Sequence, residues 1–291
     1  GQSVTMDELG GPKVHSEISG ICDKVVNSDE ESIDYCKKLL SYWPSNWTEK
    51  PPIVDMGDSP YRRDEGLLDI VPYDLNEGYD MRELISMLVD RGEFVETKAV
   101  YAPSIITCFA RIGGRSVGIV ASNPAVNLGA LDMNTSDKAA RFIRFCDAFN
   151  IPLVFLVDTV GYSSDVKKQS LGLERHAAKV MFAISEATVP KITINIRNCA
   201  NFGDLAFGNE QLGVDLVYAW PYTQLGKITD LDIYYSHTKD ASKMQSFLDK
   251  FNTIYNAGER LLYTDLIDPR NTRKCIFDAL VWMNNKNEQV E

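Results

Sequence analysis

The chain is short of positive charge, of histidine and of long apolar runs, and each shortage removes a class of function. Thirty Lys and Arg stand against 41 Asp and Glu, a formal net charge of −11, so the basic footprint of sequence-independent nucleic-acid binding is missing. A local basic pocket for an anionic small molecule remains compatible with that sign. His15, His176 and His237 are the three histidines and lie far apart. The six cysteines, at 22, 36, 108, 146, 199 and 275, form no C-x-x-C pair. A zinc site therefore has no recognisable ligand set. No apolar run reaches the ~18–20 residues that span a bilayer. The longest, IPLVFLVDTVG, is interrupted by Asp158 and reads as a buried strand. Neither a P-loop nor a G-x-G-x-x-G fingerprint occurs. The first residues carry no charged-then-apolar leader, and Gly1 in place of Met reads as a processed or engineered start. Cys108 and Cys146 sit in apolar segments, as free buried thiols do. The expectation is a reduced, cytoplasmic setting, or the mitochondrial matrix in a eukaryote.

What is present is an ordinary globular composition, 44% apolar and 24% charged, able to bury a core. Residues 1–20 read as an irregular lead-in. A helix is predicted over 29–42, with Ser28 as its N-cap and acidic residues in its first turn. The Pro-, Asp- and Gly-rich stretch 43–79 reads as a connecting arm over the surface. A second helix starts at Asp80, where Asp80 and Glu83 form a D-x-x-E variant of the capping box. This places a lead-in arm and helix at 1–80 and the main domain at 81–291. In the main domain, SIITCFARIGGRSVGIVAS reads as a β-hairpin with a Gly-Gly turn. Then SDKAARFIRFCDAFN (helix), IPLVFLVD (strand), LERHAAKVMFAISEA (helix), PKITINI (strand) and VDLVYAW (strand) follow. The end is helical in two segments, 241–266 and 270–286. Strands that are apolar throughout and alternate with helices indicate an α/β core with right-handed crossovers. Two strands followed by a helix, repeated, indicate a spiral rather than a plain doubly wound sheet.

Few side chains announce chemistry. Asp158 and Thr159 end a buried strand at the carboxyl edge of the sheet, where ligands tend to bind; an ordinary strand end is an equally good reading. His176 reads as a core-edge or exposed residue, Lys167 and Lys168 as a solvated loop, and Tyr218 and Trp220 as packing aromatics. Two glycine-bearing turns remain. One is NLGALD (127–132). The other is NFGD (201–204), where the strand KITINI gives way to the helix of NCANFGDLAFGNEQLG. Backbone N–H groups of two such turns can together form an oxyanion hole.

Four segments, SDKAARFIRFCDAFNIPLVFLVD, RHAAK, EATVPKIT and YAWP, carry a resemblance to the carboxyltransferase subunit of biotin-dependent acyl-CoA carboxylases. The propionyl-CoA carboxylase β, transcarboxylase and decarboxylase subunits form the group in question. GGRSVGIVAS and ELGGPKVHSEISG fit the same pattern, and the resemblance covers nearly the whole chain. It is to the C-terminal half of the family's subunit and the arm leading into it. The resemblance implies a crotonase-like (ClpP/crotonase) spiral of ββα units, one carboxyltransferase half-domain with an N-terminal helical arm. It implies backbone oxyanion donors at Gly203, Phe202, Gly129 and Ala130, and substrate contacts at Asp158, Gly161, Tyr162, Gly172, Asn201 and Asp204. No side-chain base is required in that chemistry, because the hole itself stabilises the enolate formed on biotin. Biotin would arrive on a partner carrier protein, not covalently bound to this chain, and a coenzyme A thioester would be the other substrate. The implied partners are an acyl-CoA-side carboxyltransferase subunit and a biotin carboxyl carrier or biotin carboxylase, in a homo- or hetero-oligomer. No nucleic acid, membrane or metal enters.

The loops facing the implied pocket depart from the family pattern. Asn201-Phe202-Gly203 replaces Gly-Gly-Ala, TVGYSSDVKKQSLGLERH differs at Val160, Ser164, Asp165 and Leu171, and YTQLGKITDLDIYY replaces a small-residue run. Asn tolerates a positive φ moderately and Phe poorly. Three readings therefore stay open. The chain is the biotin-side half of a split acyl-CoA carboxyltransferase, a catalytically impaired structural or regulatory subunit, or a crotonase-like enzyme acting on another acyl thioester without biotin.

Overall fold

In the computed structural model, residues 1–163, 165–199, 203–225, 240, 242 and 254–286 are described. One mixed sheet organises them. Its strands are β1 (Phe94–Thr97), β2 (Ile105–Ile112), β3 (Arg115–Ser122), β4 (Leu153–Thr159), β5 (Lys191–Cys199), β6 (Leu216–Ala219), β7 (Gln224–Leu225) and β8 (Asp265–Leu266). They lie in the order β1-β2-β3-β4-β5-β6-β8, with β7 also against β5. The helices are α1 (Met6–Gly10), α2 (Asp29–Leu40), α3 (Met81–Leu88), α4 (Met133–Ala148), α5 (Val166–Ser170), α6 (Leu173–Glu186), α7 (Gly203–Ala206), α8 (Ile254–Glu259) and α9 (Thr272–Trp282).

The predicted hairpin is β2–β3, antiparallel in the register Ile112↔Arg115. Its two-residue turn has φ +58° at Gly113 and +77° at Gly114, the primed geometry that only glycine takes without strain. Asp90 fastens this turn. Its carboxylate accepts from the Gly113 and Gly114 amides at 2.9 and 2.7 Å and meets the Arg273 guanidinium at 2.5 Å. From β3 onward neighbouring strands along the main order are parallel.

Alternate residues of one strand enter different cores. Val154 and Leu156 of β4 join Met81, Leu84 and Ile85 of α3 and Ile276, Ala279 and Leu280 of α9. Leu153, Phe155 and Val157 join Ala139 and Ile143 of α4 and Val180 and Ile184 of α6. With both faces covered, every residue of β4 and β5 is buried. That is why Leu153–Val157 of β4 reads as an unbroken apolar run rather than an alternating one. Strand β5 alternates in sequence, and its polar side chains are buried through bonds such as those of Lys191 to the Ile184 and Ala187 carbonyls and of Thr193 to the Gly208 carbonyl.

Local signals set the helix starts. Ser28 accepts from the Glu31 amide at 3.1 Å and α2 ends at Leu40, two residues before the predicted limit. Asp80 does cap α3, but through the Arg82 amide at 2.9 Å; the Glu83 amide bonds to the Asp80 carbonyl instead. Asp132, unremarked in the sequence, caps α4 through the Asn134 and Thr135 amides, and the Thr135 hydroxyl accepts from the Asp132 amide. The stretch 43–79 is irregular apart from a 3₁₀ turn at Glu65–Leu68, as expected for an arm. It is not merely superficial, since Leu67, Val71 and Tyr79 are core residues. Strand β1 was not foreseen. The loop beginning at Gly226 and most of the predicted 241–266 helix lie outside the described residues.

Candidate functional site

The carboxyl ends of β3, β4 and β5 gather three loops, and the last residue of β4 ties them. Thr159 is fully buried. Its hydroxyl donates to the Gly129 carbonyl at 2.6 Å and accepts from the Gly161 amide at 2.9 Å. Its methyl group faces Gly203, where an added Cβ would fall only 2.6 Å from Cγ2. Around this hub the Val160 amide bonds to Leu128 O, and the Leu131 amide to Gly161 O at 2.9 Å. Leu131 and Tyr162 form a parallel bridge. The two glycine turns nominated from the sequence are thus brought together, with the 160–163 loop between them.

The first turn is left-handed at three consecutive residues, with φ +49° at Asn127, +52° at Leu128 and +70° at Gly129. Glycine is required at the third position on two counts. The φ is positive, and a Cβ would lie 2.8 Å from the Asp158 carbonyl oxygen. The N–H groups of Gly129 and Ala130, expected to point outward as oxyanion donors, close the turn itself, onto Val126 O and Asn127 O at 3.0 Å each. The tight winding consumes them. The turn supplies a bare, rigid wall rather than two free donors. At the second turn α7 begins at Gly203, so its first amides have no intrahelical acceptor. Asn201 and Phe202 lie outside the described residues, and of Asp204 only the backbone is described.

Asp158, expected to touch substrate, is instead an anchor. It is 1% exposed; Oδ2 accepts from Arg197 Nε at 2.9 Å and Oδ1 from the Asn198 amide at 3.1 Å. Burial raises its carboxyl above the ordinary range, and the Arg197 charge opposes that rise. Arg197 also donates to the carbonyls of Pro72, Asp74 and Glu77 at 2.8–3.0 Å. One guanidinium thereby fixes the arm to the strand ends that carry the site. Tyr162 is part-buried, and burial pushes its hydroxyl up to about 12, so it keeps its proton at neutral pH. Gly172 serves local structure. With φ +90° it starts α6, and a Cβ there would meet Arg175; the nearby Lys168 reaches Asp132 at 3.1 Å.

His176 stands apart, with Nδ1 2.8 Å from Asp137 Oδ2 on the α4–α6 surface. Tyr218 and Trp220 pack in the core. Among the described residues no group of three His, Cys, Asp or Glu could hold a metal ion, and no helix is long and apolar enough to cross a membrane. Sequence reading missed Thr159 as the hub and Arg197 as the clamp. A polar residue closing an apolar strand was the one available signal for the first; the partners of the second lie about 40 and 120 residues away.

A sequence profile described as "Carboxyl transferase domain" matches residues 1–291. The methylmalonyl-CoA decarboxylase subunit alpha of Veillonella parvula is 41% identical over 292 residues, covering 99% of this chain and 57% of that protein. The methylmalonyl-CoA carboxyltransferase 12S subunit of Propionibacterium freudenreichii subsp. shermanii is 43% identical over 300 residues, again 99% and 57%. A crystal structure of transcarboxylase 12S, described as a hexamer assembly with methylmalonyl-coenzyme A and methylmalonic acid bound, superposes with a TM-score of 0.95 at 42% identity. It is covered to 58% by the whole of this chain. The chain therefore spans a little over half the length of these relatives. The crotonase-like carboxyltransferase architecture expected from the sequence is the one observed.

Proposed function

The chain belongs to the carboxyl transferase domain family, and from that premise we propose that it forms the biotin-side half of an acyl-CoA carboxyltransferase. The carrying observation is the convergence of Gly129, Gly161 and Gly203 on Thr159, at the sheet edge where α/β folds bind ligands. Three glycines there leave backbone, not side chains, facing a ligand, and backbone can approach a flat ring closely. That bare cradle fits a biotinyl group, which would bring the carboxyl group as an N-carboxy urea. The residues of this chain would then position and exclude water. Thr159 holds the two turns at fixed spacing, the Gly129 turn and Gly161 form the walls, and the start of α7 offers amides to a developing negative charge. Asp158 and Arg197 keep the strand ends in place from below. Asn201, Phe202 and Asp204 would contact the ligand from the α7 side.

Methylmalonyl-CoA or propionyl-CoA chemistry is the reading supported by the names of the relatives. The acyl-CoA would be held by a partner chain or segment corresponding to the rest of their length. A biotin carrier protein supplies the carboxyl group or takes it away, and the assembly is oligomeric and cytoplasmic. The division of the chain into an arm (1–80) and a carboxyltransferase half-domain (81–291) belongs to the same reading. Native purification followed by mass spectrometry tests it. Co-purification with an acyl-CoA-side chain and a biotinylated chain is expected, together with avidin-sensitive carboxyl transfer. Recovery of the chain alone, as a monomer without transfer in the presence of carboxybiotin and propionyl-CoA, would overturn it.

A further inference from the structure

A second cavity, of about 420 Å³, lies away from the glycine cradle, between α2, the β1–β2 edge and α4. Its size falls within the ~300–1,000 Å³ typical of small-molecule pockets. Leu39, Trp43, Phe109, Phe142 and Phe145 give it an apolar side. The aromatic wall is tight, with Trp43 and Phe145 centroids 4.8 Å apart and Phe109 and Phe142 4.9 Å apart. The indole N–H of Trp43 is buried there without a hydrogen-bond partner.

The other side is cationic, which is unusual in a chain of net charge −11. Lys138 is 3% exposed and donates to the carbonyls of Lys98, Tyr101 and Ile105 at 2.8–2.9 Å. Among the described residues no carboxylate lies within ion-pair distance of it. The nearby Glu96 is engaged by Arg82 at 2.7 and 2.9 Å. The three carbonyl bonds use every N–H of the ammonium, so Lys138 acts on the cleft only through its charge, which burial weakens by lowering its pKa to about 8. Three residues further along the same face of α4 is Arg141, exposed and without an ion-pair partner among the described residues. The remaining charges of the lining are paired, Lys98 with Asp23 and Arg144 with Glu186.

We propose that this cleft binds a monocarboxylate with an apolar body, the tail against the Trp43–Phe145 wall and the carboxylate on Arg141. The planar guanidinium of Arg141 is free to make the two-point contact that a carboxylate offers. With Lys98 and Arg144 paired, Arg141 is the one cation of the lining with free N–H donors among the described residues, which sets the charge at one. The ligand would pin α2 to α4 and the sheet edge, and it is independent of the proposed carboxyl transfer.

Decanoate is the probe, with acetate and decyltrimethylammonium as controls for the tail and the charge. Saturable binding of decanoate by calorimetry, with a shift of tryptophan emission that disappears in Trp43→Phe, is expected, and neither control should bind. Arg141→Glu, on an exposed helical position, should weaken decanoate at least tenfold, and Leu39→Trp, which fills the cleft, should abolish binding. Circular dichroism checks that both variants are folded. Absence of saturable binding, equal binding of the cationic control, or decanoate affinity within twofold of wild type in both variants would overturn the proposal.

Discussion

Replacing Gly203 by Ala tests whether Thr159 is the rigid hub of the site. A Cβ at position 203 falls 2.6 Å from Thr159 Cγ2, about an ångström inside ordinary carbon–carbon contact of ~3.5–4.0 Å. Thr159 cannot relieve this by rotating. Its hydroxyl is held from two sides, by the Gly129 carbonyl and the Gly161 amide, and a new rotamer would leave both buried groups unpaired. Overpacking of this kind costs about 1–3 kcal/mol. Thr159→Ser removes only the offending methyl and keeps the hydroxyl, at about 1 kcal/mol for the lost burial. The double variant should then cost less than the sum of the two by about 1–2 kcal/mol. Urea unfolding followed by tryptophan fluorescence, at constant m, reads all four corners of the cycle. Additivity within about 0.5 kcal/mol would refute the argument, because it would mean that the methyl and the new Cβ never meet.

Arg197→Met should destabilise by about 3–5 kcal/mol at pH 7.5, since it strands a buried carboxylate and three carbonyls. Burial already raises the Asp158 carboxyl, and losing the guanidinium raises it further. The folded variant then holds a proton that the unfolded chain releases, so the deficit should shrink as pH falls from 7.5 towards 5; a pH-independent deficit by chemical denaturation would refute this. Gly114→Ala should cost about 2 kcal/mol or more in thermal unfolding, because φ is +77° and the new Cβ would overlap the Val54 carbonyl oxygen. Burial pushes the Cys108 and Cys146 thiols up, whereas Cys36 is exposed. Maleimide should therefore label Cys36 in the native protein and the buried pair only after unfolding, and mass spectrometry showing equal rates would contradict the packing described.

The elements that the sequence made legible are those whose cause is local. Gly113-Gly114 between two apolar runs could only be a tight hairpin turn, and Ser28 before Asp29, Glu30 and Glu31 could only begin a helix. The apolar run of β4 carried the parallel core, because a strand covered on both faces needs no polar side. What escaped depends on distant residues. The edge strand β1 is four residues long and gains its place from pairing with β2. The arm looked superficial because its polar residues outnumber Leu67, Val71 and Tyr79, which reach the core. Nothing local marks Lys138, Arg197 and Arg273 as buried, since the carbonyls and carboxylates that hold them are 33 to 215 positions away.

The same contrast explains why the site has so little side-chain signature. Along β4 from Leu153 to Val157 each side chain is committed to one core or the other, so polar side chains of that strand appear only where the cover stops, at Asp158 and Thr159. There the chain keeps a costly backbone. Left-handed Asn127 and Leu128 each carry a penalty of about 1–2 kcal/mol, which persists only where the surroundings leave no alternative. Here the surroundings are identifiable: Thr159 bonded to Gly129, Val160 to Leu128 and Leu131 to Gly161. A cradle defined by such bonds is insensitive to which side chains its rim carries. Val160 and Leu171 can therefore differ from the family pattern while the backbone stays in place, and ligand choice can drift without loss of the fold. The bonds that hold the cradle are its least replaceable part, which makes Thr159, rather than any rim residue, the position where substitution should affect stability and ligand binding together.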